Sequence, residues 1–98
     1  MTGDGQGIVV RDNPDAGRYE LFVSGKLAGL ANYVLSDDTL TIPHTEVRTR
    51  YEGQGLGARL AKFALDDARR RGLRVVPRCP FIATYIERHS EYADLVAD

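Results

Sequence analysis

The sequence of 98 residues has a single cysteine, Cys79, and no tryptophan. One cysteine cannot form an internal disulfide, which excludes a disulfide-stabilised secreted scaffold and fits a reducing compartment. The longest stretch without a charged residue, 27–36, is far shorter than the roughly 20 apolar residues of a membrane-spanning helix. Residues 1–7 are polar and glycine-rich and lack the apolar segment of a secretory signal. We therefore expect a cytoplasmic protein with no membrane segment.

A charge excess of one sign is also missing, since 13 basic and 14 acidic residues leave a net charge of −1. Nucleic-acid-binding proteins usually carry a clear basic excess, so we expect no nucleic acid partner. No cysteine and histidine cluster has the spacing of metal ligands, so we predict no metal. The length is below the roughly 150 residues of an average domain. We predict one domain over residues 1–98, with 1–7 as a flexible tail.

Alternating apolar and polar residues predict four strands in the first half of the chain. The first strand begins at residues 8–10 and ends before the turn-forming residues 13–17. Residues 19–23 and 27–35 alternate on either side of a tight turn and predict a hairpin. The fourth strand contains Pro43, which has no N–H to donate, so we expect a β-bulge or a sheet edge near it.

The second half of the chain predicts a helix, a short strand and a second helix. The first helix has an apolar face that repeats every three or four residues: Leu56, Leu60, Phe63, Ala64 and Ala68. Asp66 and Arg70 are four apart and predict an ion pair on this helix, which should end near Gly72. Residues 73–76 predict the strand and 81–89 the last helix. The order ββββαβα predicts an α+β fold with a mostly antiparallel sheet of about five strands.

A glycine-rich turn joins the fourth strand to the first helix, with glycines at 53, 55 and 57. Glycines let backbone N–H groups approach a ligand closely, and the positive end of the helix favours phosphate or pyrophosphate. The alternative is a turn that only starts a helix. The turn lacks the Gly-Lys-Ser/Thr end of a P-loop, and the antiparallel strands before it do not form the βαβ unit of a dinucleotide fold.

Several segments together carry a family resemblance. They are Arg48-x-Arg50-Tyr51-Glu52-Gly53-Gln54-Gly55-Leu56-Gly57, His44-Thr45-Glu46-Val47, Gly72-Leu73-x-Val75-Val76-Pro77-x-Cys79 and Phe81-Ile82-x-x-Tyr85-Ile86-x-Arg88-His89-x-Glu91-Tyr92. They resemble the GNAT superfamily of N-acetyltransferases, whose motif A reads Arg/Gln-x-x-Gly-x-Gly/Ala, and more closely a short single-domain subgroup of predicted acetyltransferases. The resemblance covers roughly residues 18–96. Glu52 departs from it, because the superfamily usually has Arg or Gln there.

The resemblance implies an N-acetyltransferase with acetyl-CoA as cosubstrate and an amine of a protein or small molecule as acceptor. It implies that the pyrophosphate is held by the turn and helix start, which comprise Glu52, Gly53, Gln54, Gly55, Leu56, Gly57 and Ala58. The pantetheine arm would pair, like an added strand, with Val47, Arg48 and Thr49. A bulge-freed amide near Val47 would stabilise the oxyanion. Only residues 13–17 stand where larger members carry helices that shape the acceptor site.

His44 and Glu46 are the candidates for the base that deprotonates the amine. Two residues apart on a strand, they share a face unless a bulge intervenes. A histidine titrates near neutral pH, and Glu46 can orient it or act through water. The alternatives are a strand histidine bonded to backbone and a solvated carboxylate.

Cys79 and Tyr85 are the other catalytic candidates. A Cys79 thiolate at the end of the last strand can accept the acetyl group covalently, or the residue is an inert buried cysteine. The resemblance implies that Tyr85 donates a proton to the leaving thiolate, and core packing is the alternative. His89, four residues later, is a second polar group of the site or a group at the helix C-terminus. Arg69, Arg70, Arg71 and Arg74 form a solvated patch or contact the adenosine 3′-phosphate.

A different class of function is also consistent with these residues. A CoA- or acyl-CoA-binding module without catalysis would use the same glycine turn and serve as a sensor or partner subunit. A small fold used only for protein contacts is a third possibility. Turnover separates the first two functions, and binding of the ligand separates both from the third.

Overall fold

The computed structural model describes residues 7–97, which form one sheet with α1 and α2 packed side by side against it. The elements are β1 (Ile8–Asn13), β2 (Arg18–Val23), β3 (Lys26–Ser36), β4 (Thr39–Val47), α1 (Leu56–Arg70), β5 (Arg74–Val76) and α2 (Pro80–Arg88), with short 3₁₀ turns at Thr49–Tyr51 and Ser90–Leu95. Of the predicted tail, all but Gly7 lies outside the described residues. No helix among them is long and apolar enough to cross a membrane.

The sheet has the order β1-β2-β3-β4-β5. The first four strands form an antiparallel meander, and β5 pairs parallel to β4. The β2–β3 turn has positive φ at both Ser24 and Gly25, as a tight two-residue hairpin requires. The predicted order ββββαβα and the α+β fold are confirmed.

A β-bulge interrupts β4 at Pro43. Between the paired residues Asn32–His44 and Val34–Thr41, one residue of β3 faces two residues of β4. Pro43 is one of these two, and it lacks the N–H that a regular ladder would need. Of the two predicted possibilities, a bulge or an edge, the structure has the bulge, because β4 lies between β3 and β5.

The bulge reverses which residues of β4 point toward the helices. Ile42, before the irregularity, is fully buried. Beyond it Thr45 and Val47 are half-buried, whereas His44 and Glu46 are exposed on the opposite face. Even-numbered side chains of β4 therefore face the core before the bulge and face away from the helices after it.

The core lies between the sheet and the inner face of α1. Gly29 permits their close approach, since a Cβ there would lie 3.0 Å from Leu60 Cδ1 and 3.1 Å from the carbonyl oxygen of Glu46. The predicted apolar face of α1 is confirmed, although Phe63 is only partly buried. The fully buried side chains of the core include Tyr19, Leu21, Leu40, Ile42, Leu60, Leu65, Val75 and Ile82.

A buried carboxylate, Asp67, fixes the C-terminal half of α1 to the sheet. Tyr19 Oη donates to Asp67 Oδ2 over 2.9 Å, and Arg71 Nη1 donates to the same oxygen over 2.9 Å. Arg70 pairs with Oδ1. Burial would raise the pKa of Asp67, but the hydrogen bonds from Arg71, Tyr19 and Arg70 bring it below its usual value.

The predicted Asp66–Arg70 ion pair was wrong. Arg70 pairs with Asp67, while Asp66 accepts hydrogen bonds from Lys62 Nζ over 2.9 Å and from Tyr92 Oη over 2.6 Å. The reason is that Asp67 points toward the sheet, where it needs positive partners. Asp66 points toward the turn after α2.

Replacement of Asp67 by asparagine should destabilise the protein by about 2 kcal/mol at neutral pH, because charge-assisted bonds are lost. A carboxyl group whose folded pKa is depressed stabilises the fold above its unfolded pKa, about 3.9, and this contribution disappears as pH falls through the folded pKa. The stability difference between Asp67→Asn and the parent should therefore shrink below about pH 4.

Thermal unfolding of both proteins between acidic and neutral pH measures this difference. Asp94→Asn is the control, since Asp94 also pairs with an arginine but its side chain is 66% exposed. An Asp67→Asn variant as stable as the parent at neutral pH would contradict the role of this carboxylate.

Candidate functional site

The turn between β4 and α1 changes direction at its glycines. The chain turns after Arg48, whose carbonyl accepts the Tyr51 N–H over 2.8 Å. The strand therefore does not continue through Arg48 and Thr49, two of the residues expected to pair with the pantetheine arm, since β4 ends at Val47. Gly53 and Gly55 have φ of +82° and +75°, a region that other residues rarely adopt, and α1 begins directly after Gly55.

The backbone amides of residues 53–58 donate no hydrogen bond to another described residue. The first N–H groups of a helix have no partner within the helix, and no side chain caps α1. The glycines extend this set of free donors backward into the turn. The arrangement suits an anion, because the positive end of α1 adds to the donors.

A groove, here called the helix-start groove, runs past this turn as three adjoining depressions. The inner one, of 130 Å³, is lined by Thr45, Glu46, Val47, Gly57 and Phe81. The middle one, of 300 Å³, is lined by Val47, Tyr51, Glu52, Gly53, Gly55, Leu56, Gly57, Ala58 and Phe81. The outer one, of 180 Å³, is lined by Ala58, Phe81, Thr84, Tyr85, Arg88 and His89.

Phe81 borders all three depressions. Its ring lies against Gly57, where a Cβ would come within 2.9 Å of Phe81 Cζ, and the residue is 44% exposed. A larger depression of 460 Å³ lies elsewhere on α1, beside Lys62 and Asp66. Those two side chains are paired with each other, and the free amides of the turn do not line that depression.

The inner depression lies against an unpaired edge of β4. The Arg48 N–H donates to the carbonyl of Ala28 over 2.8 Å, so in the antiparallel ladder the Val47 N–H faces away from β3. On that side β5 pairs only as far as Thr41. The amide near Val47 is thus unpaired because β5 ends, and not because of a bulge at Val47, since the bulge lies at Pro43.

His44 and Glu46 share a face, as predicted, with His44 Nε2 2.8 Å from Glu46 Oε1. The hydrogen bond from His44 lowers the pKa of Glu46, so the carboxylate is ionised at neutral pH and can only accept. Nε2 is then the donor, and Nδ1 of the neutral ring keeps a lone pair. Both side chains are about half exposed, and Glu46 also lines the inner depression.

Cys79 lies directly before α2 and is 5% exposed. Its N–H donates to the Ile42 carbonyl over 2.8 Å. Burial would raise the pKa of the thiol, but the backbone amides at the start of α2 lower it below the ordinary value. Cys79 does not line the helix-start groove.

Tyr85 lies one helical turn after Phe81 and lines the outer depression. Its ring stacks on His89 with centroids 3.9 Å apart, and His89 Nδ1 donates to the Tyr85 carbonyl over 2.9 Å. Burial raises the pKa of Tyr85, which keeps the phenol protonated at neutral pH. The proton-donor role of Tyr85 stays a prediction. His89 lies directly after α2, and its ring is hydrogen-bonded to the last turn of that helix.

The predicted arginine patch lies at the opposite end of α1 from the glycine turn, about 20 Å away along the helix. All four guanidinium groups have protein partners: Arg69 with Asp94, Arg70 and Arg71 with Asp67, and Arg74 with the Val96 carbonyl. The cation in the groove that sequence reasoning missed is Arg88. No local pattern distinguishes it from a solvated helix residue.

The model of the GCN5-related N-acetyl-transferase family matches residues 18–95. The chain belongs to this family. No curated protein matches the sequence. Among residues 7–97, no group of three or more His, Cys, Asp or Glu side chains could hold a metal ion.

Solved structures of the family share the fold. A GCN5-like protein from Staphylococcus aureus matches 91% of this chain and 87% of its own, with a TM-score of 0.69 and 22% identity. A ribosomal-protein-alanine N-acetyltransferase from Escherichia coli is 26% identical with a TM-score of 0.59, over 76% of this chain and 50% of its own. N-acetylglutamate synthase from Neisseria gonorrhoeae, complexed with coenzyme A and N-acetyl-glutamate, has a TM-score of 0.54 and 23% identity over 74% of this chain and 19% of its own.

Incubation with acetyl-CoA should leave Cys79 unmodified, because the thiol is almost fully buried and lies outside the groove. Mass spectrometry of the intact protein measures this, and Cys79→Ser is the matched control for acetylation elsewhere. A mass increase of one acetyl group that is present in the parent and absent in Cys79→Ser would instead establish the covalent carrier predicted from the sequence.

Proposed function

We propose that this protein transfers an acetyl group from acetyl-CoA to an amine. The observation that carries the proposal is the set of free amides at residues 53–58, which border a groove that continues along the unpaired edge of β4. Membership of the acetyltransferase family agrees with this assignment. The cytoplasmic location expected from the sequence stays a prediction.

The turn would hold the pyrophosphate of acetyl-CoA through its amides and the positive end of α1. Glu52 lines the same depression, and its charge would oppose an anion. Arg50 does not line this depression, but its guanidinium lies 5.3 Å from the centroid of the ring of Tyr51, which does. We therefore assign to Arg50 the positive charge that Glu52 does not supply.

The unpaired edge of β4 would bind the pantetheine arm as an added strand, through backbone groups of Thr45 and Val47. The thioester then lies in the inner depression, between Val47 and Gly57. The Val47 N–H is the donor that we assign to the oxyanion of the tetrahedral intermediate. This assignment needs no side chain, since the donor comes from the strand itself.

The His44 ring would take the proton of the attacking amine. The amine nitrogen bonds to the thioester carbonyl carbon, and the amine proton passes to His44 Nδ1. The carbon–sulfur bond then breaks, and its electron pair leaves on sulfur as the CoA thiolate. Glu46 holds the ring in the tautomer with this lone pair. The acceptor approaches from the face opposite α1.

The alternative is a CoA- or acyl-CoA-binding module without catalysis. It is favoured by the short β1–β2 connection, because residues 14–17 contain no helix that could border an acceptor site on the face of the sheet opposite α1. The two functions make the same prediction for the groove and opposite predictions for turnover.

Gly55→Ala should weaken binding of acetyl-CoA at least tenfold, because the new methyl group enters the groove. Gly72→Ala is the matched control at the far end of α1. The two glycines have φ of +75° and +70°, and an added Cβ meets nothing within 4 Å at either position. Both variants should lose about 1 kcal/mol of stability through the left-handed backbone, and only Gly55→Ala should lose affinity.

Isothermal titration calorimetry with acetyl-CoA, and with ATP and NADH as unrelated nucleotides, measures this affinity. A parent protein that binds none of them at millimolar concentration would overturn the proposal. Equal affinities of Gly55→Ala and Gly72→Ala for acetyl-CoA would remove the turn from the site.

His44→Asn should lower kcat about 100-fold with little change in the Kd for acetyl-CoA, the size of effect expected for loss of a general base. Glu46→Gln should lower kcat less, because the amide can still accept from the ring. Release of CoA thiol over a panel of polyamines, lysine peptides and peptides with free N-termini gives the rates. Tight binding without turnover on any amine would favour the alternative function.

A further inference from the structure

The sheet has two outer edges, and residues 7–97 cover only one of them. Beyond β5, Val96 forms a bridge with Val75, and the Ala97 N–H donates to the Val75 carbonyl over 2.8 Å. At the other edge lies β1, and no strand within the described residues pairs with its outer side. An unpaired strand edge readily binds a further strand, so proteins usually cover or protect it. The outer edge of β1 is therefore an interaction surface that the fold leaves open.

The ladder between β1 and β2 determines which backbone groups of β1 are unpaired. The Gly7 carbonyl accepts the Ser24 N–H over 3.3 Å, so these two residues form a hydrogen-bonded pair that continues the β1–β2 register. Hydrogen-bonded and non-hydrogen-bonded pairs alternate along an antiparallel ladder. Residues 9 and 11 therefore bond to β2. The N–H and C=O groups that point outward are those of Ile8, Val10 and Asp12.

β1 lacks the features that usually protect an edge strand. Residues 8–13 contain no lysine and no proline, and their ladder with β2 has no bulge. Arg11 Nε donates to Glu20 Oε1 over 3.3 Å, and the Arg11 guanidinium lies 4.8 Å from the centroid of the Phe22 ring. Asp12 accepts a hydrogen bond from Tyr33 Oη over 2.6 Å. Both charged side chains of the strand thus have partners within the chain.

Apolar side chains border this edge on both faces of the sheet. On the helix side, Val10 and Phe63 line the depression of 460 Å³ beside α1, and both are only partly buried against the core. On the opposite side, Val9 is 50% exposed. A strand placed along β1 would remove these groups from water, which favours its binding.

A second copy of β1 fits this edge in one antiparallel register. With Val10 opposite Val10 on a two-fold axis, Ile8 lies opposite Asp12 on either side, and each of these pairs makes two backbone hydrogen bonds. Val9 then lies opposite Arg11. A shift of two residues in one direction places Arg11 opposite Arg11, where like charges are destabilising. A shift in the other direction removes the pairs between Ile8 and Asp12.

We propose that β1 binds β1 of a second copy of this chain, so that the protein is a two-fold symmetric dimer with one sheet continuous across both copies. All outward backbone groups of Ile8, Val10 and Asp12 are then paired. The depressions beside α1 of the two copies face each other across the axis. The helix-start groove lies beside β4, three strands away from this interface, and stays open in each copy. The inference does not depend on the proposed function.

Sedimentation velocity of the full chain from micromolar to millimolar concentration tests the proposal. The parent of 10.8 kDa should shift toward a species of twice that mass as the concentration rises. Hydrogen exchange followed by NMR identifies the surface. The amides of Ile8, Val10 and Asp12 should be protected only in the dimer, and those of Val9 and Arg11 in both species. A parent that stays monomeric throughout would overturn the proposal, as would a dimer in which the outward amides exchange freely.

Two substitutions of Val9 test the register. Val9→Lys places a positive charge opposite Arg11 at two symmetry-related positions and should raise the Kd of the dimer about tenfold, whereas Val9→Glu places an attractive charge there and should lower the Kd. Val34→Lys is the matched control, because Val34 is 60% exposed on β3, and it should leave the Kd unchanged. Equal values of Kd for Val9→Lys and Val9→Glu would overturn the proposed interface.

Discussion

The missing N–H of Pro43 is the constraint on which the arrangement of the site depends. Because Pro43 cannot donate to a ladder, β4 accommodates one extra residue there and reverses its inward and outward faces. The parallel pairing with β5 ends at Thr41, just before this point, and the Ile42 carbonyl is satisfied instead by the Cys79 N–H. The last part of β4 thus keeps one strand neighbour only. The outward side chain of His44 follows from this irregularity, and the free edge beyond it follows from the end of β5.

The polar contacts around α1 divide the helix into a fixed end and a free end. Its C-terminal half is held by Asp67, whose carboxylate joins Tyr19 to two arginines, and by Asp66, which accepts from Tyr92. A chain of this size buries only about 60% of its unfolded surface, so such buried charge-assisted bonds matter for the stability of the fold. Within the described part of the chain, no side chain caps the N-terminus of α1. The donors that a ligand needs are therefore left open while the helix itself stays fixed.

The sequence predicted the order of the elements, the hairpin, a bulge or an edge at Pro43, and the apolar face of α1. Each of these depends on short-range periodicity or on the special backbone of proline and glycine. Other features depend on contacts between distant residues. Asp67 could not be recognised as buried, because its partner Tyr19 is far away in the chain. The place of Arg88 in the groove depends on the packing of α2, which no local pattern contains. The His44–Glu46 pair was accessible because a strand places alternate residues on one face.

The open face of the sheet limits how an acceptor can be recognised. On the same face as the His44–Glu46 pair, two strands away across Leu30, lies Glu20. It is buried and accepts from Arg18 Nε over 2.8 Å and from Asn13 over 3.1 Å. These hydrogen bonds hold the pKa of Glu20 below its usual value against the effect of burial, so the group is ionised but already paired. If His44 is the base, as proposed, Glu20 adds little uncompensated charge on this face. An amine would then be selected by whether it can reach the unpaired edge of β4.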